Sequence, residues 1–314
     1  MSSDPRTRLG FIALIGGATG IGFAPVLVRM SETGPTATAF FRLLFALPLI
    51  WIWATWDRRQ HPTTRQPTTR KDFLMLAMGG LLFTADLSIW HWSLQFTTVT
   101  NSTLLTNLAP IFVTIGARIL FGDRIKFTFV IGMVLAIGGA VMLVKSSVMA
   151  GTDSTGSSTF FSSKHLLGDI LSIVAAFFYA GYLLAVKHLR KTFSTPTIMA
   201  WSGLASCAGF GVVALLSGDK MLATSSKGWI VLLGLAVISH AGGQTLIAYG
   251  FGHLPASFSS VSLLWQPVVA AAVAWLVLDE KLTWLQGVGA LVVLSGIAVA
   301  SGTIGRASRR PKTG

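Results

Sequence analysis

The chain contains the same pattern twice, and this internal repeat limits the folds that it can adopt. The first copy reads NLAPIFVTIGARILFGDRIKFTFVIGMVLAIGG, and the second reads LWQPVVAAAVAWLVLDEKLTWLQGVGALVVLSG. In each copy an apolar segment with a proline precedes an acidic–basic pair and a glycine-rich segment. The copies stand 157 residues apart, which is half of the 314-residue chain, so a fold of two similar halves is predicted. The matched residues are Pro110 and Pro267, Asp123 and Glu280, Arg124 and Lys281, Gly132 and Gly289, and Gly139 and Gly296.

The composition indicates that lipid, rather than water, surrounds most of the chain. Hydrophobic residues make up 52% of it and charged residues only 11%, whereas ordinary soluble domains carry about 25% charge. The net charge of +13 would suit nucleic acid, but most Lys and Arg lie in short gaps between apolar segments and form no continuous basic face. We therefore expect the lipid bilayer as a partner and exclude nucleic acid.

Ten apolar segments are long enough to cross a bilayer as helices, which need about 20 residues each. The chain is thus predicted to be an all-α integral membrane protein of ten transmembrane helices. It divides into a first repeat at 9–144, a loop at 145–165 and a second repeat at 166–304. The single cysteine, Cys207, lies in an apolar segment, so neither a disulfide nor a cysteine-based metal site is expected, and no cofactor is predicted. The predicted spans are Leu9–Met30, Thr36–Trp56, Phe73–Gln95, Asn101–Gly122, Phe127–Val144, Leu166–Val186, Thr195–Leu216, Trp229–Gly252, Ala256–Leu278 and Trp284–Ile304.

The distribution of positive charge predicts the orientation of these spans. Lys and Arg in the termini and loops or at the ends of the spans number 16 on the side of both termini and 6 on the other side. Because cytoplasmic loops are enriched in these residues, both termini are expected in the cytoplasm. Each repeat has five spans, an odd number, so the second repeat must cross the membrane in the opposite sense to the first. The predicted architecture is an inverted repeat, and such repeats hold substrate sites where they meet.

The repeated pattern resembles the EamA domain of the drug/metabolite transporter superfamily. The residues that carry the resemblance are Pro110, Asp123 with Arg124, and Gly139, together with their mates and with Arg42 in the second span. One departure is Asp123, where the family more often has Glu. The resemblance implies a basket of ten helices in which the fifth and tenth brace the others around a central cavity. It also implies export of amino acids, drugs or other small metabolites, and the chain is most similar to the bacterial amino-acid exporters.

Three polar residues at membrane depth are candidates for a substrate or coupling site. An ionisable group in a bilayer is costly, so it should face the interior of the bundle or find a partner. Counting residues along each helix places Arg42, Asp86 and Asn107 in the same outer third of the membrane. We hypothesise an Asp86–Arg42 pair with Asn107 nearby. The pair is either a fixed structural contact or functional, with Asp86 taking a proton or Arg42 meeting a substrate carboxylate.

Polar residues follow one face of the fourth span, and a similar set occurs in the ninth. Such stripes either join helices or line a wet cavity. The prolines favour a cavity, because a proline inside a helix leaves a backbone carbonyl free to accept a hydrogen bond from a substrate amino group. The candidates are Thr103, Asn107 and Pro110 in the fourth span and Trp265, Gln266 and Pro267 in the ninth.

Aromatic and hydrogen-bonding side chains in three other spans complete the candidate substrate site. His240 and Gln244 are four residues apart on one face of the eighth span, and the histidine is either a proton relay or a core residue with a satisfied hydrogen bond. Aromatic side chains in the interior would suit an apolar substrate group or stack on a cation, or else they fill the core. The candidates are Phe83 and Trp90 in the third span, Tyr179 in the sixth, and His240 and Gln244 in the eighth.

These features predict a secondary transporter of the bacterial inner membrane that exports small metabolites by alternating access. Amino acids, aromatic or otherwise apolar ones among them, are the first choice of substrate. Export of drugs or lipophilic cations and metabolite exchange are the alternatives, ahead of a lipid-modifying enzyme and a channel. The sequence has no Walker A motif, which favours secondary transport, and no enzymatic activity is predicted. The expected partners are a small-molecule substrate and lipid, and the expected state is a monomer, with a dimer as the alternative.

Overall fold

The computed structural model describes residues 5–97, 99–123, 125–150, 163–279 and 283–301. Every regular element in these ranges is a helix. Ten helices are long and apolar enough to cross a membrane, so the predicted all-α membrane fold with ten spans is confirmed. The spans are α1 (Pro5–Arg29), α2 (Pro35–Gln60), α3 (Arg70–Ser93), α4 (Ser102–Phe121), α5 (Phe127–Val144), α6 (His165–Leu189), α7 (Thr195–Ser217), α8 (Ser226–His253), α9 (Ala256–Leu278) and α10 (Trp284–Ser301).

The helix ends differ from the sequence-based bounds by a few residues, for identifiable reasons. Helix α3 begins at Arg70 rather than Phe73 because Thr69 and Asp72 form a capping box, in which each side chain accepts a hydrogen bond from the other residue's backbone N–H. Helical geometry continues to Ala150 beyond α5 and begins at Ser163 before α6, so both ends of the predicted loop at 145–165 are helical. The predicted end of the last span, Ile304, lies outside the described residues.

Several helices are interrupted inside the membrane. Helix α4 has a turn at 107–108 and α9 has one at 263–264, and Pro110 and Pro267 follow within four residues. Proline has no N–H and its ring clashes with the preceding turn, so a break at this position is expected from the sequence. Helix α8 widens into a π-helix over Leu235–Gln244. Wide turns of this kind occur often at functional sites.

Helices α5 and α10 pack through the repeated glycines. A Cβ atom on Gly132 would lie 2.7 Å from the carbonyl oxygen of Gly296, and one on Gly139 would lie 2.7 Å from that of Gly289. Gly132 is the sequence mate of Gly289, and Gly139 is the mate of Gly296. Gly132 therefore contacts the mate of Gly139, and Gly139 contacts the mate of Gly132. This crossed pattern shows that the two helices run antiparallel. Small residues allow this close backbone approach, which drives helix packing in lipid.

The remaining helices pair across the two halves. Helix α1 packs on α8 and α3 on α6, while α2 packs on α7 and α4 on α9. Replacing each helix by its counterpart in the other half leaves this set of neighbours unchanged. Large apolar side chains point outward, as lipid contact requires, and Leu216 and Phe127 are 82% and 78% exposed. The polar side chains of the interior are therefore enclosed by helices from both halves.

Candidate substrate site

Seven side chains from α2, α3, α6 and α8 meet in the interior of the bundle, and we call them the central cluster. The Phe83 ring centroid lies 5.0 Å from that of Tyr182 and 5.9 Å from that of His240. Gln244 Nε2 donates a hydrogen bond of 2.9 Å to the Tyr182 hydroxyl, and the rings of Tyr179 and Tyr182 stack at 6.3 Å. The central cluster consists of Arg42, Phe83, Asp86, Tyr179, Tyr182, His240 and Gln244.

The two charged members of the central cluster do not form the hypothesised pair. Arg42 and Asp86 are each only 8% exposed. Within the described residues no salt bridge or hydrogen bond joins their side chains, and Arg42 Nε has no hydrogen-bond partner. Both charges act instead on Tyr179 and Tyr182, because these tyrosines of α6 lie within electrostatic range of each. The hypothesis of a direct ion pair is therefore wrong, and two ionisable side chains lie buried without the hydrogen-bonded partner in the described residues that a buried charge normally has.

His240 is also unsatisfied. Its side chain is 2% exposed, and neither ring nitrogen has a hydrogen-bond partner among the described residues. A core histidine with a satisfied hydrogen bond, one of the two alternatives from the sequence, does not match this environment. His240 lies in the π-helical segment of α8, within electrostatic range of Arg42. Its ring nitrogens are therefore free to meet a polar ligand in the central cluster.

A small cavity lies where the breaks of α4 and α9 face α6. Its volume is about 40 Å³, which exceeds the roughly 10–15 Å³ that one water molecule needs. Tyr179 lines the cavity and also belongs to the central cluster, so the two regions are continuous. Asn107 Nδ2 is buried there without a hydrogen-bond partner in the described part of the chain. The lining residues include the predicted Asn107, Pro110, Tyr179 and Gln266, with Thr106 and Ser260 beside them.

Four predicted site residues lie elsewhere. Trp265 Nε1 donates a hydrogen bond of 3.0 Å to Thr19 Oγ1, so this side chain joins α9 to α1. Its neighbour Gln266 faces the cavity because consecutive residues of a helix point in different directions. The Trp90 ring packs against His91 at 5.2 Å, and the Thr103 carbonyl accepts the Asn107 N–H before the break in α4. Pro267 follows the break in α9 and is not part of the cavity lining.

Three residues of the site were absent from the predicted set. Tyr182 is three residues after Tyr179 and therefore on the same face of α6, a spacing that would have identified it. Thr106 precedes the break in α4, and Ser260 belongs to the serine-rich start of α9. Hydroxyl groups of this kind are common in membrane helices as internal hydrogen-bonding groups, so their residue type alone does not single them out.

The hydrogen bond between Gln244 and Tyr182 leads to a first prediction. Replacing Tyr182 with Phe removes the acceptor of Gln244 Nε2 and leaves a buried amide unsatisfied. We expect the free energy of unfolding to fall by about 1–3 kcal/mol. Thermal unfolding in detergent measures this change, and adding Gln244→Leu to Tyr182→Phe should recover part of the loss. An unchanged midpoint for Tyr182→Phe would show that the bond contributes nothing.

The match to a protein family identifies the class of protein that carries this site. The EamA-like transporter family matches the chain twice, over residues 8–145 and 166–302. The chain belongs to the EamA-like transporter family. It is therefore a multi-pass protein of the inner membrane and a transporter of small molecules, as the resemblance implied.

Individual relatives cover almost the whole chain. An Archaeoglobus fulgidus protein named "Uncharacterized transporter" is 24% identical over 95% of this chain and 97% of its own length. An Escherichia coli (strain K12) protein named "Probable amino-acid metabolite efflux pump" is 28% identical over 89% of this chain and 90% of its own. A solved crystal structure shares the fold, with a TM-score of 0.76 at 16% identity over 96% of this chain and 99% of that one.

Proposed function

We propose that this transporter exports amino acids, or closely similar zwitterionic metabolites, through the central cluster. The observation that carries the proposal is that Arg42 and Asp86 are both buried near the α6 tyrosines, with no salt bridge or hydrogen bond to either side chain among the described residues. A substrate carboxylate would bind the Arg42 guanidinium, which is well suited to carboxylate recognition. A substrate ammonium group would bind Asp86. The aromatic rings of the central cluster suit an apolar side chain.

The architecture proposed for transport is an inverted repeat with both termini in the cytoplasm. The antiparallel glycine contacts between α5 and α10, and the unchanged set of neighbours under exchange of the halves, support it. The polar groups are not repeated, since Asp86 maps onto Gly243, Asn107 onto Leu264 and His240 onto Phe83. The substrate site is accordingly asymmetric inside a symmetric frame.

The proposed movement is a rocking of the two halves about the site, which is common in inverted-repeat carriers. The breaks in α4 and α9 and the π-helical segment of α8 supply backbone that can change conformation, because their hydrogen bonding is already irregular. The cavity lies between both proline breaks, so a substrate there contacts the two halves together. The glycine contact of α5 with α10 is expected to persist in both states.

A lipophilic cation is the second candidate substrate, and the aromatic rings with Asp86 favour it, because aromatic faces and carboxylates both attract cations. The Arg42 charge argues against it, since a buried guanidinium repels a cation in the same cavity. An amino acid has one group for each charge. The zwitterion is therefore the better match.

Counterflow in proteoliposomes tests the proposal. Liposomes loaded with one unlabelled amino acid should accumulate labelled amino acid, and competitors should include amino acids, nucleotide sugars and lipophilic cations. We expect apolar or aromatic amino acids to compete, and the corresponding amines and carboxylic acids, which carry only one of the two charges, to compete at least about tenfold more weakly. Equal competition by a lipophilic cation and an amino acid would overturn the zwitterion proposal.

A further inference from the structure

Two loops from different halves are tied together at one end of the bundle, and the charge count assigns this end to the outside. The loop between α1 and α2 contributes Glu32, and the loop between α7 and α8 contributes Thr224 and Ser225. The Glu32 carboxylate accepts hydrogen bonds from the backbone N–H groups of Thr224 at 2.8 Å and Ser225 at 2.9 Å, and from both hydroxyls. These hydrogen bonds lower the pKa of Glu32 to about 2, and the hydrogen bond from the Ser225 hydroxyl has the largest effect.

A second carboxylate makes the reciprocal contact. Asp219, from the loop of the second half, accepts hydrogen bonds from the Thr36 N–H at 2.8 Å and from the Thr36 hydroxyl. The N-cap of α2 is Gly34, which has no side chain to cap the helix. Asp219 therefore caps α2. At the start of α8 the N-cap residue is Ser225, whose hydroxyl accepts a hydrogen bond from the Gly228 N–H, and Glu32 accepts from the Ser225 N–H. Each half supplies a carboxylate to a helix N-terminus of the other half, where the helix dipole favours negative charge.

The repeat mate of α8 is capped without help from the other half. At the start of α3, Asp72 accepts from the backbone N–H groups of Thr68 and Thr69 within its own helix turn. The third helical residue of α8 is Gly228 instead of an acid. A Cβ atom there would lie 2.8 Å from the Glu32 carboxyl carbon. The Glu32 carboxylate of the first half thus takes the place that the Asp72 carboxylate has in α3.

The loops that correspond to these two in the repeat lie at the opposite face of the bundle, and other contacts join them. The loop between α2 and α3 reaches the loop between α6 and α7 through the Arg65 guanidinium, which lies 5.5 Å from the Phe193 ring centroid. The Arg65 side chain is 54% exposed, and its salt bridge is with Asp72 of its own half. Two further contacts join the halves at this face: the Ser257 hydroxyl donates a hydrogen bond of 3.2 Å to Asp123, and the Lys191 ammonium lies 4.6 Å from the Phe121 ring centroid. Single side-chain contacts of this kind are weaker than several charge-assisted hydrogen bonds to one carboxylate.

We propose that Glu32, Thr36, Asp219, Thr224 and Ser225 form an outer latch that keeps the outward face closed when no substrate is bound. Opening this face breaks caps that each half gives to the other, whereas the opposite face opens with its helix caps intact. The latch rests on the alternating access proposed above. It is a gate and not part of the substrate site, because none of its residues belongs to the central cluster.

The test distinguishes two effects of Glu32: its hydrogen bonds between the two halves, and its stabilisation of the start of α8. The double variant Glu32→Ala/Gly228→Asp gives α8 an acidic third residue that can accept from the Ser225 N–H, as Asp72 accepts from the Thr69 N–H in α3, and it removes the Glu32 contact between the halves. Spin labels at the exposed positions Pro35 and Lys227, in a Cys207→Ser background, report the separation of the two loops by pulsed electron resonance. Thermal unfolding checks that the double variant is folded, and it is expected to be more stable than Glu32→Ala alone.

We expect the wild type to show one short distance, and the double variant to raise the population of longer distances about tenfold. Asp219→Asn should act in the same direction, whereas Arg65→Ala at the opposite face should leave the distance unchanged. Equal distance distributions in the wild type and the double variant would overturn the latch. Counterflow of the same proteins is a separate readout, so an absence of transport in the wild type would count against the proposed function and not against the latch.

Discussion

Replacing Asp86 with Asn is expected to abolish most transport and, at the same time, to raise the thermal stability of the protein. The carboxylate is buried in the membrane interior without a salt bridge or hydrogen bond in the described residues. An uncompensated charge in this position destabilises the fold, and the neutral amide of similar shape removes that cost. A substrate ammonium group would lose a charge-assisted hydrogen bond, typically about 1.5–3 kcal/mol, so transport should fall by roughly 10- to 150-fold.

The matched control is Asp169→Asn. Asp169 accepts a hydrogen bond of 2.7 Å from Thr97 Oγ1, a contact between the two halves near the start of α6. This variant should keep transport and lose stability. Thermal unfolding in detergent and counterflow in proteoliposomes measure both quantities for both variants. A less stable Asp86→Asn protein that still transports at the wild-type rate would show that Asp86 is a structural residue.

Replacing Gly139 with Ala is expected to damage the α5–α10 contact, whereas the same change at the neighbouring Gly138 should be harmless. A Cβ atom on Gly139 would lie 2.6 Å from the Val293 backbone nitrogen and 2.7 Å from the Gly289 carbonyl oxygen, and backbone atoms cannot move aside alone. A Cβ atom on Gly138 has no neighbour within 4 Å. Overpacking of this kind costs about 1–3 kcal/mol, while Ala in place of an unconstrained helical Gly gains about 0.5–1 kcal/mol.

The two glycine variants each add one methyl group, at positions about 100° apart around one helix. Thermal unfolding should therefore show a lower midpoint for Gly139→Ala and an equal or slightly higher one for Gly138→Ala. Gly132→Ala should resemble Gly139→Ala, because its Cβ meets backbone atoms of α10 at 2.6–2.7 Å. Equal midpoints for Gly138→Ala and Gly139→Ala would contradict the close packing of α5 on α10.

The sequence predicts the spans and the breaks well because both follow from local chemistry. Lipid requires long apolar segments, and Pro110 and Pro267 interrupt helices wherever the rest of the fold puts them. The repeat also identifies Gly132, Gly139, Gly289 and Gly296, the glycines through which α5 and α10 pack. These features depend on residue type and on spacing along the chain, which a single sequence contains.

The details of the site were harder to predict, because they depend on how helices rotate and shift against each other. Depth along the helix axis suggested that Arg42 and Asp86 pair, but depth does not determine in which direction each side chain points. Trp265 faces α1 through Thr19, although its neighbour Gln266 lines the cavity. The contact of Glu32 with Ser225 joins residues 193 positions apart, and no local pattern indicates a cap supplied by a distant loop.

Exchange kinetics test whether a substrate binds between the two halves and whether the halves move around it. Initial uptake of labelled amino acid into proteoliposomes is measured over a range of substrate concentrations, with and without unlabelled amino acid inside. Alternating access predicts saturable uptake that internal substrate accelerates, and loss of both properties in Asp86→Asn. Uptake that rises linearly with concentration and ignores internal substrate would contradict it.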